Sequence, residues 1–177
     1  MGIIVLAIGI GGHVALYAAI LHLIAHSLTK SSLFFSAGSV VQAFNSRSMH
    51  RMRGLLLVTP LAGAGLVLGA LALAGLPPFA MFTSEYGLVA GSFASGRATI
   101  GVIGILLVTL AAASLLHHVI TSVYHEPRRD AVARRMSAAS ALSIGVPLAI
   151  LLWVSVLPPA RFHRAIEGAV TVLEAPR

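Results

Sequence analysis

Apolar residues fill this chain in long blocks, and short polar or glycine–proline interruptions separate them. Residues 2–11 form a first apolar piece, too short to cross a bilayer, which takes about 20 helical residues. It reads as the end of a longer apolar helix, and Gly11-Gly12-His13 closes it. The next block runs from about residue 15 to 44 and predicts one long helix, ended by the polar stretch Asn45 to Arg53. From residue 54 to 76 a second block predicts a spanning helix, with Gly65 and Gly69 spaced so that a neighbouring backbone can approach closely. Gly75-Leu76-Pro77-Pro78 must interrupt it, since proline lacks a donor and restricts its predecessor. An apolar piece resumes over residues 79–95, Gly96-Arg97 make a turn, and residues 99–124 predict a further spanning helix. Ser137 is placed to cap a last one, residues 138–157, in which Pro147 should introduce a kink and Trp153 should lie near the membrane interface. After Pro158-Pro159, Phe162, Ile166, Ala169, Val170 and Leu173 recur at helical spacing opposite Arg161, Arg164 and Glu167, the pattern of a surface-lying amphipathic helix.

The fold expected is therefore all-α, a polytopic transmembrane bundle of about five spanning helices, one of them discontinuous. Residues 1–158 make the transmembrane domain and residues 159–177 an amphipathic surface tail. Composition agrees: 58% of the 177 residues are hydrophobic and only 10% charged, with a mean hydropathy of +0.95. A soluble domain carries about 25% charged residues, so the chain is expected to be an integral, multi-pass membrane protein. The net charge of +7 does not point to nucleic acid, because the arginines sit in short runs between apolar blocks. The opening residues lack a basic flank and a small-residue cleavage site, so they are not read as a cleaved signal.

Against this apolar background a few ionisable residues stand out. His22, His26 and Lys30, the last being the only lysine, follow one another at i, i+4 and i+8 and so line one stripe of a helix. Lys30 lies roughly 20 Å of helix from either end of its block, too far to snorkel easily. A charge there costs about 3 kcal/mol on insertion scales, which is why such residues are usually kept for a function. Glu85, one to two turns past the Pro77-Pro78 break, is the sole acidic residue inside an apolar block. Helix breaks at membrane depth occur where they line a cavity or are buried in protein, and they can bind or pass ions. Burial disfavours charge and histidine titrates near neutrality, so this set suits proton transfer. His117 and His118 are lesser relay candidates, because paired histidines near a helix end are more often interfacial.

The missing motifs limit the chemistry. Without cysteine the chain has no disulfide, thiolate metal site or iron–sulfur ligand of its own. No phosphate-cradling loop, zinc-protease signature or nucleophilic triad is legible. His22 and His26 have metal-ligand spacing but no third ligand nearby, so no metal, no cofactor and no self-contained catalytic residue are expected. Arginine counts do not settle the topology. Whether residues 54–95 cross once, broken, or twice, the split is seven on one side and four on the other.

These residues carry a resemblance. His22-Leu-Ile-Ala-His26-Ser-Leu-Thr-Lys30 resembles the His-x3-His-x3-Lys helix of the antiporter-like proton-pumping subunits of respiratory complex I, of hydrogenase-4 and formate hydrogenlyase, and of multisubunit sodium/proton antiporters. Leu71-Ala-Leu-Ala-Gly-Leu-Pro77-Pro78-Phe-Ala-Met-Phe-Thr-Ser-Glu85 is similar to the second discontinuous helix of that family. The resemblance implies the second half of an inverted-repeat subunit, with upstream helices and the entry half-channel outside this chain, which would then be a fragment, a split subunit or a truncated product. It also implies that Lys30, His26 and His22 form a central relay with Glu85 toward the outer exit, and that a glutamate there leans toward hydrogenase-4-like members or the complex I middle pump. The implied partners are other membrane subunits of a hydrogenase or NADH-quinone oxidoreductase complex, within the lipid bilayer. The implied function is redox-driven proton translocation; the alternatives are a cation/proton antiporter subunit without a redox partner, and a non-conducting structural fragment.

Overall fold

The computed structural model describes residues 2–48, 52–126 and 136–175. The segment that carries Arg128, Arg129, Arg134 and Arg135, read above as a basic loop, lies outside the described residues, as does Arg51. In order, the helices are α1 (Gly2–Ile10), α2 (His13–Phe44), α3 (Leu55–Val58), α4 (Pro60–Leu73), α5 (Ala80–Ala94), α6 (Ala98–Tyr124), α7 (Ala138–Val156) and α8 (Ala160–Glu174). Three of them, α2, α6 and α7, are each long and apolar enough to cross a membrane.

The 32-residue α2 is the post around which the others stand, about 48 Å long at 1.5 Å per residue. Its buried positions include Ala15, Ala18, Ala19, Ala25, Thr29, Ser32 and Ser36, and α4 buries Ala62, Gly63, Gly65, Gly69 and Ala70. Small residues facing one another let backbones approach, which is how helices gain packing energy where lipid is as apolar as leucine. Gly65 and Gly69 are closely packed, though against side chains of the neighbouring helices rather than against a backbone. A Cβ on Gly65 would strike the Ser36 side chain, and one on Gly69 would come within 2.7 Å of Leu33.

The register along α2 settles how residues 54–95 run. Gly65 meets Ser36, Gly69 meets Leu33, Ser84 meets His22, Gly87 meets Ala18, Gly91 meets Ala15 and Ser95 meets Gly12. Numbers rise on one partner as they fall on the other, so α4 and α5 are stacked end to end, antiparallel to α2, as one broken crossing. Together with α2, α6 and α7 this makes four crossings among the described residues, against about five expected, since the nine residues of α1 are too short to span. One element differs from expectation. The block at 54–76 is not one helix, because Pro60 occupies the first position of α4 and Thr59 adopts a non-helical backbone, which separates the short α3. Proline is suited to a helix start and is poorly tolerated within.

At the second break α4 ends in a Schellman motif: Leu76 N–H donates to Leu71 O at 3.2 Å and Gly75 N–H to Ala72 O at 3.1 Å. Gly75 supplies the left-handed backbone, φ 68°, that this motif requires. The Pro77-Pro78 peptide is cis, and α5 begins two residues later, with Phe79 at its N-cap. Ser155 of α7 accepts the N–H of Ala80 at 2.7 Å, so a first-turn donor of the restarted helix is satisfied from a neighbour.

Ser137 caps α7 as expected, accepting from Ser140 N–H at 3.1 Å, and Trp153 is exposed near the other end of that helix. Ile144 and Leu151 bury α7 against the core. The tail helix α8 docks on α2 through buried Ile166 and Val170. Its polar side is less free than the sequence suggested. Glu167 pairs with His13 Nε2 at 2.8 Å and Tyr17 is hydrogen-bonded to His163, whereas Ala169 and Leu173, read as part of the apolar face, are exposed.

Candidate functional site

Helical spacing puts His22, His26 and Lys30 on one stripe of α2, and the two imidazoles are stacked with ring centroids 5.6 Å apart. The close approach of α5, with Gly87 and Gly91 against Ala18 and Ala15, carries Ser84 to within 2.9 Å of His22 Nδ1. His22 is 1% exposed and Ser84 is fully buried. Lys30 is half-buried, its Nζ 5.6 Å from the centre of the Phe34 ring, a cation–π distance.

Glu85 follows Ser84 in the second turn of α5 and is 7% exposed. Its carboxylate rests on the backbone of the α4 terminus: a Cβ on Gly75 would lie 2.8 Å from Glu85 Cδ and 3.1 Å from Oε1. Among the described residues Glu85 Oε1 and His26 Nδ1 are buried without a hydrogen-bond partner. Buried polar atoms of this kind are rare and call for a reason.

All four sequence-predicted residues, His22, His26, Lys30 and Glu85, line one cavity of about 590 Å³. Leu73 and Met81 flank them at the helix break, and apolar side chains of α1 and α6 complete the wall. A second hollow of about 540 Å³, between the break and α6, includes Gly75, Tyr86 and Thr109 and shares Glu85 with the first. Glu85 therefore stands between two spaces. His117 and His118, on the exposed side of α6 with ring centroids 5.7 Å apart, line neither. Pro77 and Pro78 line neither hollow; their part is to separate α4 from α5. Among the described residues no three His, Asp or Glu side chains converge to hold a metal ion.

Two neighbours of the site were not legible in the sequence as such. Ser84 looks like any helical serine, and only the antiparallel register brings it to His22. Gly75 was read as part of the break, without its role as the seat of the Glu85 carboxylate.

Comparison with known proteins gives the arrangement a context. Residues 1–111 match the family described as NADH:quinone oxidoreductase/Mrp antiporter, TM. The chain is 41% identical over 130 residues to the hydrogenase-4 component F homolog of Methylacidiphilum infernorum, covering 73% of this chain and 27% of that protein. It is 33% identical over 161 residues to an NADH-quinone oxidoreductase subunit of Desulforudis audaxviator, covering 89% of this chain and 32% of the relative. Against a Na(+)/H(+) antiporter subunit of Bacillus subtilis it is 29% identical over 157 residues, covering 89% and 31%. The chain thus spans no more than about a third of the length of these relatives. A chain in the structure of the Mrp complex from Dietzia sp. DQ12-45-1b superposes with a TM-score of 0.84 at 19% identity, over 98% of this chain and 40% of that one, which establishes a shared fold. The histidine–lysine helix, the broken crossing and the family match agree, and the chain belongs to the transmembrane NADH:quinone oxidoreductase/Mrp antiporter family.

Proposed function

We propose that this chain forms part of a proton-translocating membrane subunit of a redox-driven complex, of the hydrogenase-4 or NADH-quinone oxidoreductase type. The observation that carries the reading is the cavity that gathers Lys30, His26, His22 and Glu85 beside a broken crossing. In it, a proton leaves the Lys30 ammonium when a positive charge arrives nearby, passes to a histidine nitrogen lone pair, and reaches the Glu85 carboxylate. Among the described residues no hydrogen bond joins the two stacked imidazoles, so water in the cavity would complete the path. Glu85, bordering the second hollow, is the point of hand-off. With residues 54–95 forming one crossing, the C-terminal ends of α2 and α6 lie on one side, and the sequence that follows these two ends, 45–53 and 125–135, carries seven arginines against four elsewhere. By the positive-inside rule that side is cytoplasmic, which puts α8 and Arg97 outside.

The hydrogenase-4 relative, at 41% identity, favours a redox partner over pure cation exchange. The likeness to the Bacillus subtilis antiporter protein keeps the second reading, in which the same residues exchange sodium or potassium for protons. Purification in mild detergent and mass spectrometry of the bound subunits separates the two: hydrogenase or quinone-reductase subunits support the first, small antiporter subunits the second. In vesicles containing the whole complex, Lys30→Ala should abolish proton transfer while assembly persists. Unchanged transfer would refute the relay and leave the chain a structural part of a membrane arm.

A further inference from the structure

Ser84 Oγ donates to the carbonyl of Met81, one turn back in α5, at 2.7 Å. A serine hydroxyl has one proton and two lone pairs, so once that proton is committed Ser84 can only accept. Its second contact, 2.9 Å from His22 Nδ1, is then filled by an N–H of the imidazole. The reverse arrangement, with the hydroxyl turned to Nδ1, makes one hydrogen bond instead of two in a place where both residues are buried. We propose that Ser84 is a positioning residue that holds His22 with its proton on Nδ1, so that Nε2 alone takes up and releases the transferred proton; this rests on the relay reading above.

The consequence is a route. A histidine can conduct by taking a proton on one nitrogen and losing another from the other. Here Nδ1–H points to Ser84 and thence to the Met81 carbonyl, which does not accept a proton, so that side is closed. The proton that arrives on the Nε2 lone pair must leave from the same atom, and Nδ1–H is never broken. The Ser84 arrangement serves neutral and doubly protonated His22 equally, with no turn of the hydroxyl. His22 is thus a reversible store at the end of the histidine line, and onward transfer goes across the cavity to Glu85 rather than through α5 at Ser84. The ionisable groups sharing that cavity are His26, Lys30 and Glu85.

The test is solid-state nitrogen NMR of the whole complex in lipid, with labelled histidine and the His22 signals assigned by their loss in His22→Gln. We expect Nδ1 of His22 to be the protonated nitrogen of the neutral ring. In Ser84→Ala the signal should shift wholly or partly to the Nε2–H form, and Ser84→Thr, which keeps the hydroxyl, should restore it. A wild-type His22 protonated on Nε2 overturns the proposal, as does a Ser84→Ala spectrum unchanged from wild type. Proton transfer in vesicles should slow in Ser84→Ala with the complex still assembled. Because the NMR readout does not depend on transport, failure of Lys30→Ala to block transfer would refute the relay while leaving the tautomer result to stand or fall separately.

Discussion

Gly75→Ala is the substitution in which the break and the carboxylate can be weighed against each other. At φ 68° any residue with a Cβ pays roughly 1–2 kcal/mol for the left-handed backbone. The new Cβ would also fall on the Glu85 carboxylate, 2.8 Å from its Cδ. Glu85 is 7% exposed and must swing off the new Cβ toward one of the hollows it borders, and driving a side chain off its rotamer costs about 0.5–1.5 kcal/mol. The single variant should lose about 2–3 kcal/mol in all. Glu85→Asp withdraws the carboxylate by one methylene, roughly 1.5 Å, which removes the collision but not the backbone strain. The double variant should therefore be more stable than the sum of the two singles by about 1 kcal/mol, above the roughly 0.5 kcal/mol within which independent sites add. The cycle is measured by denaturant titration of the complex in detergent, followed by helical circular dichroism. Additive losses would mean that the Glu85 carboxylate is not seated on the α4 terminus, and the account of the site would have to be redrawn.

Further outcomes follow from contacts described above. Gly91→Ala places its Cβ 2.9 Å from the backbone nitrogen of Ala15, which cannot move, whereas Gly69→Ala meets only the Leu33 side chain, so Gly91→Ala should lower the melting temperature more. Arg97 donates to Gly9 O at 2.6 Å and Ile10 O at 2.9 Å, and these are orphan carbonyls of the α1 terminus. Arg97→Ala should cost about 1 kcal/mol, since the side chain is exposed, and should speed hydrogen exchange in α1 selectively. Ile166→Ala should weaken α8 docking by about 2–4 kcal/mol and expose it to proteolysis, while Glu167→Gln, breaking an ion pair about half exposed on both sides, should cost well under 1 kcal/mol.

What the sequence disclosed and what it hid divide along physical lines. Spacing within one helix is local, so the stripe of His22, His26 and Lys30 and the break at Pro77-Pro78 were legible from residue order. Pro60 carried a signal too, yet the surrounding run of leucine, valine and glycine reads as one block because hydropathy averages over a single proline. Whether residues 54–95 cross once or twice was beyond reach, since the arginine count is the same either way. That depended on small residues such as Gly87 and Ala18 meeting across helices. Ser84 is the clearest case of a residue without a sequence signal, because a helical serine that bonds only its own backbone looks the same. Glu167, a charge on the polar side of an amphipathic helix, gives no local sign of its partner His13, which stands 154 positions away.

The two-piece crossing also bears on how the chain reaches its membrane. The α4 piece has 14 residues and the α5 piece 15, both short of the roughly 20 that let a helix insert as an independent span. Neither piece would be retained in the bilayer by its own hydrophobicity. Both rest on α2, which precedes them in the chain and so leaves the ribosome before them. The expected order of insertion is therefore templated, with α2 partitioning before the broken crossing, which enters as a pair against a surface already in place.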